Sequence, residues 1–207
     1  MVRRYSVLLV AALVAAPFIG SGSAGAAGTV IGQCTSVKGS THLVPGLGHD
    51  KTSQTGTSPD TGGTAPTPDT FSGCSQTGGG GPSSATFTSS ITSTMPLACP
   101  AALGGPPDPP VGTVVFTGTT HIVWNSGPAT NGNVKVKTTA TVGQVKVITK
   151  FTSGQFFVSG STTKAKVLFN FTIDQPTFNC TTAGNPNPIA HVNITNSGNA
   201  VTTRTTP

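Results

Sequence analysis

The chain has 207 residues, a net charge of +6 and only 8% charged residues, with 11 Lys and Arg, 5 Asp and no Glu. So few carboxylates exclude most chemistry that relies on paired acidic groups, and the shortage of Glu and Lys argues against solvent-facing helices. Thr, Ser, Val, Gly and Pro fill the space instead, a composition suited to strands with hydroxyl-rich outer faces and tight connections, so the fold class is all-β.

The N-terminus has the three parts of a secretory signal peptide in order: Arg3 and Arg4, an apolar run over residues 7–19, and small residues ending in Ala24-Gly25-Ala26. Cleavage is expected after Ala26, which makes residues 1–26 the signal and 27–207 a single domain. A permanent span needs about 20 apolar residues, so no transmembrane segment is expected after processing. The expected location is secreted or cell-surface associated.

Four cysteines follow, Cys34, Cys74, Cys99 and Cys180. An even number in an exported chain predicts two disulfides. None forms a C-x-x-C pair, which speaks against a redox or zinc site. Strand candidates over residues 29–44, interrupted by Gly39, and 67–75, paired as an antiparallel hairpin, bring Cys34 near Cys74. Elimination leaves Cys99 with Cys180. Between these strands, residues 51–69 are Thr, Ser, Pro and Gly at nearly every position, and a flexible loop is predicted.

Residues 85–95 alternate, with Phe87 and Ile91 on one side and Thr86, Thr88, Ser90 and Thr92 on the other, so they read as a half-buried strand. Residues 96–112 contain six prolines and can only be a connection. A long strand over residues 113–125 ends near Trp124, which is read as core or rim packing. The Val142-Gly143-Gln144-Val145 stretch then predicts a two-residue hairpin. That turn sets Thr138 opposite Thr149, Val136 opposite Phe151 and Lys137 opposite Lys150, with apolar side chains on one face. Lys135, Lys137, Lys146 and Lys150 fall on the other face, joined by Lys164 and Lys166 of the next strand. The last predicted strand covers residues 189–196. Some eight to ten antiparallel strands result, closing as a β-sandwich or a β-barrel.

An early Cys, Gly-Ser-Thr-His-Leu-Val-Pro at 39–45, Ser-Gly-Cys at 72–74, a Trp late in a strand and Ser-Gly-Gln-Phe-Phe-Val-Ser-Gly at 153–160 make up a recognisable layout. It resembles small secreted Thr/Gly-rich β-proteins of unassigned function from high-GC Gram-positive bacteria. The resemblance implies a bacterial envelope or medium as context and brings no activity with it.

No nucleophile elbow, phosphate loop or H-E-x-x-H motif occurs, so no catalytic, metal or cofactor site is assigned. The six lysines form a candidate anion-binding face, and the expected partner is an anionic envelope polymer or lipid surface. Nucleic acid is not expected. The leading functional expectation is a non-catalytic exported domain that binds or decorates the envelope. A secreted hydrolase of glycans or esters is the alternative from another class, and a purely structural or assembly role is a third. The hydrolase requires at least two of His49, Asp50, Asp108, His121 and His191 to converge in one cleft, and their scatter along the chain predicts that they do not.

Overall fold

The computed structural model describes residues 29–62, 68–184, 187–196 and 201–206. The expected signal peptide lies outside them. Ten strands are present among the described residues: β1 (Thr29–Leu47), β2 (Thr55–Ser58), β3 (Thr70–Gln76), β4 (Ser84–Ser93), β5 (Val114–Trp124), β6 (Thr130–Thr138), β7 (Gln144–Ser153), β8 (Thr162–Ile173), β9 (Ile189–Asn196) and β10 (Val201–Thr206). All pairings are antiparallel, and no described helix is long and apolar enough to cross a membrane.

The sequence left sandwich and barrel open, and the pairings decide for a closed barrel. The path β1-β2-β4-β5-β6-β7-β8-β9 returns to β1, so no long edge is left to pair with another chain. Eight positions go round the ring, and two of them are split between short strands. β2 and β3 share the position between β1 and β4, while β9 and β10 share the one between β8 and β1. The long β1 carries both seams. It pairs with β3 over Gly32 to Lys38 and with β2 over His42 to Val44; on its other side it meets β10 over Thr29 to Cys34 and β9 from Lys38 onward.

β1 runs unbroken through Gly39, where the sequence predicted an interruption. A Cβ there would lie 2.8 Å from the Asp69 carboxylate and 3.2 Å from Phe87, so the glycine admits a close neighbour rather than breaking the strand. Both disulfides join the pairs expected, Cys34–Cys74 and Cys99–Cys180. The first links facing residues of β1 and β3. The second ties the proline-rich connection to the segment before β9, at the opposite end of the barrel.

Three further expectations are corrected. Residues 51–69 are not wholly loop, because β2 lies within them and Gln54, Asp60 and Asp69 are buried; residues 63–67 lie outside the described part. The sequence argument counted apolar surface, whereas this segment is held by polar bonds. Gln54, for instance, donates to the Gly46 carbonyl and accepts from the Gly46 amide, both at 2.9 Å. Next, the β6–β7 connection covers residues 139–143 rather than two residues, since the Thr139 hydroxyl bonds within the loop and to the Gln144 carbonyl at 2.9 Å. Val145 therefore stands opposite Thr138, Val147 opposite Val136 and Lys146 opposite Lys137. The shift is even, so the predicted inner face survives. Finally, β10 was not foreseen after β9.

Candidate functional site

The six lysines lie on the outer faces of β6, β7 and β8, in a register different from the one predicted. Pairings across β6, β7, β8 and β10 place outward residues in three rows perpendicular to the strands. One row holds Lys137 and Lys146; the next holds Lys135, Ile148 and Lys166; the third holds Asn133, Lys150, Lys164 and Arg204. All six lysines project from the outer face, and Arg204 joins them as an exposed cation that the sequence reading missed with its strand. Rows lie about 7 Å apart and strands about 4.8 Å apart, so like charges sit well within one Debye length. No acidic residue occurs in the sequence between Asp108 and Asp174, the span that holds the six lysines. At the nearer end of the β7–β8 hairpin, the connecting loop exposes Phe157 and Val158.

A second polar cluster lies at the β2/β3 seam. Asp69, 1% exposed, accepts from the Ser40 amide at 2.8 Å and bonds the Ser58 hydroxyl. It supplies the acceptor that a strand would supply, since β1 has no strand partner on that side between Lys38 and His42. Burial pushes the Asp69 carboxyl up to about 6, against the opposing hydrogen bonds from Ser58 and Ser40. Nearby, Asp60 lies 2.6 Å from His191 Nδ1 and accepts from the Gly62 amide at 2.8 Å. His191 stacks on His42 across the β1–β9 pairing, with ring centroids 4.7 Å apart.

Of the remaining candidates, the sequence neighbours His49 and Asp50 meet outside any cleft, and His121 and Asp108 lie apart from them. His49 and Asp50 meet each other at 3.4 Å on the surface, where hydrogen bonds from the Gly184 amide and His49 hold the Asp50 carboxyl below its usual range. His121 bonds Asn131 at 2.7 Å on the outer face of β5 and β6. Asp108 accepts from the Ala101 amide in the proline-rich connection. Thus His191 has a carboxylate partner, but it is Asp60, which the sequence argument had left among loop residues. Among the described residues no three His, Cys, Asp or Glu side chains come together as metal ligands.

The third place is the barrel interior, which encloses an apolar cavity of about 260 Å³. An eight-stranded barrel is either just filled by its side chains or left with room for one small ligand, and the residue sizes here explain the room. Around the middle the inward residues are small. Ser89 faces Thr120, Thr120 faces Gly132, Thr149 faces Ala165, and Ala165 faces Thr203. The larger inward side chains are Phe151, which faces Gly132, and those toward the two ends. Trp124 contacts Phe71 and the edge of Phe156 at one end, while Leu47, Phe116 and Ile189 line the other. Phe156 comes from the β7–β8 loop, and Gly32 makes room for it, since a Cβ there would lie 2.6 Å from its ring. The Trp124 indole is satisfied by Thr130 at 2.9 Å.

Compared with family models, curated proteins and solved structures, the chain matches none, so its function is argued from these three places alone.

Proposed function

We propose that this is a non-catalytic exported β-barrel that binds an anionic polymer of the cell envelope through its lysine face. One observation carries the reading: six lysines and Arg204 stand in three rows on adjoining strands, with like charges facing one another across the pairings. Juxtaposed like charges cost stability, and a polyanion laid along the rows offsets that cost by summed attraction. The envelope setting rests on the signal-like N-terminus, the two disulfides and the resemblance to secreted actinobacterial β-proteins.

The test is retention of the purified protein on isolated cell wall as salt is raised. Retention should fall steeply between about 0.05 and 0.5 M salt, as the Debye length shortens to a few ångströms. A folded Lys150→Ser, Lys164→Ser variant should bind at least tenfold more weakly at low salt. Undiminished retention by that variant sinks the proposal. A second reading, an acidic lipid surface, is favoured by the exposed Phe157 and Val158 beside the same cations, the apolar-plus-basic combination of an interfacial site. Phe157→Ser separates the two. It should weaken binding to phosphatidylglycerol vesicles in the lipid case and leave wall retention unchanged in the polymer case.

A further inference from the structure

The barrel interior remains unaccounted for by a face that works from the outside. It is a cavity of about 260 Å³ lined, among the described residues, by no charged side chain. Its walls are Phe87, Ile122, Val134, Val147, Phe151 and Phe169, and small or hydroxyl residues such as Ser89, Thr120 and Thr149 leave room between them. We propose that this interior is a binding site for a neutral, apolar small molecule of one or two rings.

Three observations fix the class. Size comes first: an apolar cavity of roughly 150 Å³ accepts benzene, so 260 Å³ accommodates a second ring but not a large polycycle. Charge comes next. With no lysine, arginine, histidine, aspartate or glutamate on the lining, an ionised group taken inside is desolvated and left unpaired, which is strongly unfavourable. Polarity comes last. Ser89 donates to Thr120 at 3.0 Å and Thr120 donates to the Thr88 carbonyl at 3.0 Å, so these two hydroxyls spend their protons on the protein and present oxygen lone pairs to the cavity. A ligand that is wholly hydrocarbon, or carries one hydroxyl, suits such a wall.

Trp124 provides the readout, because it is the chain's single tryptophan and it lines the cavity. Titrating the purified, disulfide-bonded protein with 1-bromonaphthalene should quench tryptophan fluorescence saturably by the heavy-atom effect and raise Tm. The charged analogue 6-bromo-2-naphthoate should bind at least a hundredfold more weakly. Thr149→Phe, which places a ring in the cavity, should weaken the neutral probe at least tenfold. Thr88→Leu, on the outer face behind the same wall, should leave it unchanged. If Thr149→Phe does not fold, Thr149→Leu serves, and the comparison of the two probes on the unmodified protein decides by itself. Linear, non-saturating quenching, or equal affinity for the carboxylate, overturns the proposal. Retention on cell wall is unaffected by either result, so the lysine face is judged separately.

Discussion

The two sides of the barrel solve the same problem in different ways. β6, β7 and β8 form a regular wall, in which every strand has a full-length neighbour and alternation sends valine and phenylalanine inward and lysine outward. Across the ring, β1 is flanked by split strands, and the backbone groups facing each split are satisfied by side chains. At the β2/β3 seam Asp69 accepts the Ser40 amide. At the β9/β10 seam Asn196 accepts the Val37 amide at 3.1 Å and donates to the Thr35 carbonyl at 3.0 Å. A strand can therefore end part-way along a closed barrel, provided that one short polar side chain replaces the missing ladder rung.

The largest effect is expected from removing the first of these side chains. Asp69→Ala leaves the Ser40 amide without a buried acceptor and strips the Ser58 hydroxyl of its partner, which should cost about 2–3 kcal/mol. Denaturant unfolding at pH 5 is the measurement, since much of the carboxyl is then protonated and the loss reads hydrogen bonding rather than relief of a buried charge. A loss below about 0.5 kcal/mol would mean that the seam does not depend on Asp69.

Making one seam chemically like the other sharpens the comparison. The folded-state pKa of Asp69, about 6, lies above the ordinary 3.8, so between these values the folded state binds more protons than the unfolded state. Stability contributed by this group is accordingly full below about pH 4, declines as pH rises and levels off above about pH 6, a fall of about 2–3 kcal/mol. Asp50 has a lowered pKa, so its own contribution is lost only on acidification below that window. Asp69→Asn accepts the Ser40 amide as Asn196 accepts that of Val37, but without titrating. The difference in stability between the protein and this variant should slope from pH 4 to 6 and be flat from 6 to 8. A flat difference throughout contradicts the assignment.

Asn196→Ala is the milder counterpart. Its bonds are less deeply buried and involve no charge, so a loss of about 1–2 kcal/mol is expected, without pH dependence between 4 and 8. A loss as large as that of Asp69→Ala would show that the two seams carry equal weight.

The contrast also explains what could be read from the sequence. On the regular wall, Ala165, Val167 and Phe169 alternate with Lys164 and Lys166, and period two alone separates inside from outside. Only the register escaped, because Gly143-Gln144 has the chemistry of a two-residue turn while the Thr139 hydroxyl organises a longer one. On the β1 wall no periodicity announces that Asp69 will stand in for a strand, or that Thr and Gly around Gln54 enclose a buried amide. Those assignments depend on residues distant in sequence meeting at one point. The cavity was hidden for a related reason. Ser89, Thr120 and Gly132 each look ordinary in their own strand, and only the register collects them in one row, as it collects Thr149, Ala165 and Thr203 in another.

The smallest effect belongs to the regular wall and concerns the cost of its charges. Lys150 and Lys164 face each other across β7 and β8, and Arg204 stands next to Lys164 across β8 and β10. Lys164 is thus flanked on both sides by like charge, whereas Lys137 has a single cationic neighbour in its row, Lys146. Removing the centre of the longer row by Lys164→Ser should raise stability by about 0.5 kcal/mol at low ionic strength, and Lys146→Ser should raise it less. Both gains should shrink towards zero near 0.5 M salt, because these side chains lie in water and are readily screened. Serine keeps the hydroxyl character of the outer face and adds no apolar surface, so neither gain can be credited to packing. Thermal unfolding at 0.02 and 0.5 M salt resolves a change of this size. If Lys164→Ser instead destabilises the barrel at low salt, its aliphatic stem is packing on the sheet, and the lysine rows are then supports of the wall rather than charges held against one another.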